Sequence, residues 1–99
     1  MKIILGLSLR DKKALESLLK FHSLNINQMI TFSKSLIPSQ GNIEDFAYGL
    51  VVGTIIGNYC EKFFQTHNRA PDNDELMDIY FTMSLRSPKI RNAIINELL

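Results

Sequence analysis

The chain has 99 residues, 45% of them hydrophobic and 21% charged, with a formal net charge of +1. That length allows one domain, or a small module with an appendage, and that composition excludes an intrinsically disordered chain. A net charge so close to zero does not by itself point to nucleic acid, and a single cysteine, Cys60, excludes an intrachain disulfide.

Lys2 to Leu7 alternates so that Ile3, Leu5 and Leu7 share one face, which predicts a short strand. A lone strand of this size must pair with something, and its own copy is the obvious partner. Ser8 is a good N-cap for a first helix running to His22, with Asp11 at the third position, close to a capping box. Ala14, Leu15, Leu18, Leu19 and His22 share its apolar face, and Lys12, Lys13, Glu16 and Lys20 its polar face. Ser23-Leu24-Asn25 breaks the helix. Asn25 can cap a second helix, whose stripe is Ile26, Met29, Ile30, Ser33 and Ile37. Pro38-Ser39-Gln40-Gly41 ends it and is the best module boundary.

Asn42 can cap a third helix reaching about His67, with Glu44 and Asp45 in a first turn where the helix dipole favours acids. Gly49, Gly53 and Gly57 form one stripe within it. Each glycine costs a helix interior about 1 kcal/mol relative to alanine, so something must offset roughly 3 kcal/mol. Close approach of another backbone does so, either at an internal helix crossing, the favoured reading, or at an oligomer seam. The β-branched run Leu50 to Ile56 admits a strand as the alternative. Asp72 and Glu75 make a capping box for a fourth helix, with Leu76, Ile79, Tyr80 and Met83 inward. Ser87 and Pro88 open a fifth as N-cap and first residue, burying Ile90, Ala93, Ile94 and Leu98.

Charge is unevenly divided. Residues 1–40 hold six Lys/Arg against two acids, a balance of +4, and residues 41–99 hold five against eight, a balance of −3. Ile3-Ile4-Leu5 is too short for a signal-peptide core. Phe46 to Cys60, the longest weakly charged stretch, falls short of the roughly 20 residues a membrane helix needs. Together with the single cysteine, these features suggest a cytoplasmic protein that does not enter membranes.

No catalytic constellation, metal set or cofactor motif is visible. His22 and His67 lack ligand-spaced neighbours and read as packing and helix-end residues. Cys60 reads as a small buried hydrophobe. Glu44 and Asp45 serve a helix start, and the glycines lack the Lys-Ser/Thr that follows a phosphate loop. The chain is therefore not expected to be an enzyme.

Lys2 to Leu36 resembles the ribbon-helix-helix family of DNA-binding proteins. The residues that carry the resemblance are the alternating strand ending in Leu7-Ser8, the helical core Ala14-Leu15-Glu16 with Leu18, the break at Ser23-Leu24-Asn25, and Asn27, Met29 and Ile30 opening the next helix. The resemblance implies a mainly α fold: an N-terminal ribbon-helix-helix, its one strand pairing across a dimer, then a three-helix C-terminal part. Residues 1–40 would dimerise and bind DNA, and residues 41–99 would oligomerise or bind a protein partner. The ribbon would enter the major groove of double-stranded DNA and present Lys2, Ile4 and Gly6 to the bases. Of these, only Lys2 makes a strong contact to a guanine edge, which implies weak sequence preference or a ribbon that only dimerises. Leu24, Asn25, Ile26 and Asn27 would anchor a phosphate at the second helix's N-terminus, and Arg10, Lys12 and Lys13 would add phosphate contacts.

The leading expectation is thus a dimeric transcriptional regulator, a repressor-like DNA-binding protein. The alternative is a non-enzymatic α-helical oligomer that acts as a protein–protein interaction module, with Gly49, Gly53 and Gly57 at its seam. A third reading places a helix-turn-helix between Pro71 and the Ser87-Pro88 helix, with Arg86, Lys89 and Arg91 near the second helix's start.

Overall fold

The computed structural model describes residues 6–37 and 41–99. They form four α-helices: α1 (Leu9–Leu24), α2 (Asn27–Leu36), α3 (Ile43–His67) and α4 (Asn73–Leu98). No strand occurs among the described residues. Helices α3 and α4 are an antiparallel hairpin. Helices α1 and α2 each pack on both of them and not on one another. Placed end to end, α1 and α2 act as a broken third helix along a body 54 Å long and 21 × 20 Å across.

The ribbon-helix-helix fold is therefore corrected. Lys2 to Leu5 lie outside the described residues, but Gly6 and Leu7 do not continue a strand. Gly6 is left-handed (φ 91°), and a Cβ there would collide with the Asp78 carboxylate. The Leu7 N–H donates to Asp78 Oδ2 at 2.8 Å, and its side chain is 3% exposed in the chain's own core. A residue that spends its N–H on α4 and buries its side chain beneath the helices has nothing to offer a partner strand.

Helix α1 begins as expected. The Ser8 hydroxyl accepts the Asp11 N–H at 3.1 Å and donates to Asp11 Oδ2 at 2.9 Å. Leu15, Leu18 and Leu19 are buried, whereas Ala14 is exposed. Asn25 does not cap α2. Its backbone N–H and side-chain amide both donate to the Phe21 carbonyl, at 3.1 and 2.9 Å, and so close α1 instead. Helix α2 starts without a side-chain cap. Ile26 and Ile30 hold it to the core, and the buried Ser33 hydroxyl donates to the Met29 carbonyl at 2.7 Å.

Asn42 caps α3 by accepting the N–H groups of Glu44 and Asp45. The β-branched run Leu50 to Ile56 lies within this helix, where Val51 and Ile55 are buried, so tertiary packing overrides its strand propensity. Asn68 ends α3 in the left-handed region (φ 58°, ψ 31°), which asparagine tolerates better than most residues. Asp72 and Glu75 then form the expected capping box of α4.

The predicted fourth and fifth helices are one. Helix α4 runs through Pro88, so residues 41–99 hold two helices, and the turn that a helix-turn-helix between Pro71 and the Ser87-Pro88 start requires is absent. An internal proline costs about 3 kcal/mol. Packing on both sides of it holds the helix together: Ile79 and Met83 are buried before it, Ile90 and Ile94 after it. Ser87, expected as an N-cap, instead accepts the Tyr48 hydroxyl at 2.7 Å. One turn on, Arg91 stacks 4.0 Å from the Tyr48 ring and pairs with Asp45 at 3.2 Å.

One continuous core joins all four helices and draws on residues before position 38 and after position 40. Each fully buried Leu or Ile contributes roughly 1.5–3 kcal/mol by leaving water.

Candidate interaction surface

The most distinctive surface lies on α3. Its buried stripe is Ala47, Val51, Ile55, Tyr59 and Phe63. At about 100° per residue, Gly49, Gly53 and Gly57 fall on the opposite side, and all three are exposed. A Cβ built on any of them meets nothing within 4 Å. The internal helix crossing favoured from sequence is therefore corrected: no backbone or side chain of the described residues approaches the stripe. Phe46, Leu50 and Cys60 flank it half-buried, and Phe64, 54% exposed, extends it. Between Asp45 and Glu61 this helix carries no charged side chain.

Helix α4 adds a second apolar ridge, with Met77 (66% exposed), Tyr80, Phe81 (65%) and Leu85. The Tyr48–Ser87 and Asp45–Arg91 contacts set the hairpin register, placing Gly53 level with about Met83 and Gly57 with about Ile79. Asp78 and Arg86 occupy the α1 side of α4, through Leu7 and Glu16. Ser87 and Arg91 occupy its α3 side. Met77, Tyr80 and Ser84 fall on the same flank as Ser87 and Arg91. Met77 and Tyr80 thus lie on the α3 side of α4, the side nearer the exposed glycine stripe.

The expected DNA-contacting residues are not brought together. Lys2 and Ile4 lie outside the described residues. Gly6 is half-buried against Asp78. Arg10, Lys12 and Lys13 are exposed at the start of α1, whereas Leu24, Asn25, Ile26 and Asn27 sit at its far end, about 20 Å away along the axis. There Ile26 is a core residue, and Asn25 is engaged with Phe21.

Several other polar residues have structural partners. Asp11 is buried and joins Ser8 to His67, whose Nε2 lies 3.0 Å from its carboxylate. His67 stacks on Phe63 at 4.2 Å. Arg69 grips Glu75 with two hydrogen bonds of 2.6 and 3.1 Å and lies 5.2 Å from the Phe63 ring. That grip holds the Glu75 carboxyl below its usual range, against the opposing effect of burial. His22 shares a 3.3 Å contact with Asn58, and burial, aided by Lys62, lowers its pKa. Burial pushes the Cys60 thiol up, away from a reactive thiolate. Among the described residues no group of three His, Cys, Asp or Glu is placed to hold a metal ion. No helix among them is long and apolar enough to cross a membrane.

The Asp11 hub was not foreseen from sequence, because Asp11 and His67 are 56 positions apart and nothing local links them. Comparison of the chain with family models, curated proteins and solved structures finds no match.

Proposed function

We propose that this chain is a non-enzymatic helical interaction protein that associates with a second copy of itself through the glycine face of α3. One observation carries the reading: three glycines spaced four apart sit in open space on the outside of a well-formed helix. Their cost of roughly 3 kcal/mol is a large part of the 5–15 kcal/mol stability of an ordinary domain, and no contact from the described residues offsets it. A partner helix does, because missing side chains let two backbones approach closely, as small-residue stripes do elsewhere.

The surroundings support the same reading. Contiguous exposed apolar surface marks interaction sites, and interface centres are depleted in charge, as this face is between Asp45 and Glu61. Two-fold dimers are the commonest closed assemblies. An antiparallel pair with its axis at Gly53 sets Gly49 against Gly57 of the partner and seats each α3 beside the other's Met77 and Tyr80.

Sedimentation equilibrium over a wide concentration range tests this. The wild type should approach twice its 11.3 kDa mass, and Gly53→Leu, which overfills the crossing, should stay monomeric while remaining helical. A wild-type protein that is monomeric at every concentration would remove the proposal.

A further inference from the structure

A separate feature lies between α1 and α4, away from the glycine face. An open groove of about 430 Å³ is lined by Glu16, Ser17, Lys20 and Ser23 from α1 and by Arg86 and Lys89 from α4. Leu19 and Ile90, both core residues, close its floor. The volume is in the range of small-ligand sites, which combine apolar walls with a few placed polar groups.

The charge in this groove is unbalanced. Glu16 accepts from Arg86 Nε at 3.1 Å and Nη2 at 3.0 Å, so its carboxylate is already used. That contact fixes the guanidinium plane and leaves the Arg86 Nη1 donors free of it. Lys20 and Lys89 take part in none of the ion pairs among the described residues. Three cations against one anion leave a balance of +2, the counterpart of a phosphate ester carrying about −1.5 to −2 at neutral pH. The Ser17 and Ser23 hydroxyls make no hydrogen bond among the described residues, unlike Ser8, Ser33, Ser35 and Ser87.

We propose that the α1–α4 groove binds a small organic phosphate. Lys20 and Lys89 supply charge to the phosphate, and the pre-positioned Arg86 and the Ser17 hydroxyl direct hydrogen bonds to its oxygens; Ser23, six residues along α1, is too far to share the same phosphate. The apolar part of the ligand rests on the aliphatic stems of Lys20 and Lys89, above the buried Leu19 and Ile90. The inference does not depend on self-association, since the groove uses neither the glycines nor the outer ridge of α4.

Titration calorimetry of the full chain with phenyl phosphate, at fixed ionic strength, tests it. The wild type should give a saturable one-to-one isotherm. Lys20→Gln and Lys89→Gln should each weaken it about tenfold, the loss of one charge-assisted contact. Lys12→Gln, on an exposed lysine outside the groove, should leave it unchanged, and circular dichroism should show all variants equally helical. No saturable heat at millimolar phenyl phosphate overturns the proposal. So does an equal loss in Lys12→Gln, which means diffuse attraction to the basic α1 surface. In a parallel arm, a duplex of about 20 base pairs that binds through Lys20 and Lys89 while phenyl phosphate does not would overturn it in favour of a nucleic-acid backbone.

Discussion

The Tyr59 hydroxyl donates to the main-chain carbonyl of Asp11 at 2.9 Å, tying the second half of α3 to the first turn of α1 across 48 positions. The same Asp11 uses its side chain to hold Ser8 and His67. Burial, then the charges of Asp11 and Glu75, push the Tyr59 phenol above its ordinary range, so it stays a donor. Tyr59→Phe keeps the ring in place and removes only this bond. The expected loss is about 1 kcal/mol, read as a lower urea midpoint with an unchanged slope. An unchanged midpoint would mean the bond contributes nothing net to the α1–α3 joint.

Acid sensitivity should centre on Glu75. Its hydrogen bond with Arg69, supported by the Asp72 N–H, holds its folded-state pKa below the unfolded value of 4.5. Above 4.5 both folded and unfolded chains carry the charged form, and the stabilisation is complete. As pH falls from there through the lower folded-state value, the unfolded chain takes up the proton first and stability is lost. Melting temperatures measured from pH 7 down to pH 3 should therefore fall more steeply for the wild type than for Glu75→Gln. Parallel curves would assign the acid response to other carboxylates.

Pro88 is a weak point that packing tolerates. It offers no N–H to the preceding turn, and its exposed ring crowds the same carbonyl. Pro88→Ala should raise stability, by up to about 3 kcal/mol. Thermal unfolding checks this. A less stable variant would show that the proline ring is needed to hold Ser87 and Arg91 against Tyr48.

Three of the helix starts were read correctly from neighbours in the chain, whereas Asn25, expected to cap α2, closes α1 on Phe21. Ser8, Asn42 and the Asp72–Glu75 box mark helix starts because a side chain within three residues satisfies the free N–H groups. Pro88 and Leu7 were misread for the opposite reason. Their local patterns favour a helix start and a strand, and contacts from 39 to 71 positions away decide otherwise, through Tyr48 beside Ser87 and Asp78 on Leu7. Gly49, Gly53 and Gly57 were legible as a stripe, but the side of α3 they occupy depends on where α1, α2 and α4 pack. The phosphate groove was not legible, since Lys20 and Lys89 meet only when α1 and α4 lie side by side.

The glycine stripe makes a prediction whose sign depends on concentration. In an isolated chain, alanine at Gly49, Gly53 and Gly57 meets none of the described residues and improves helix propensity, so the triple variant should gain roughly 3 kcal/mol. In a dimer joined through the same face, three methyl groups per subunit push the backbones apart and remove part of that gain. Dilute protein should therefore melt at a higher temperature in the triple variant than in the wild type. On raising the concentration, the wild type should gain melting temperature by mass action and the variant should not, narrowing or reversing the difference. A constant advantage for the variant at all concentrations would leave the glycines with no contact to explain them and would reject the seam on α3.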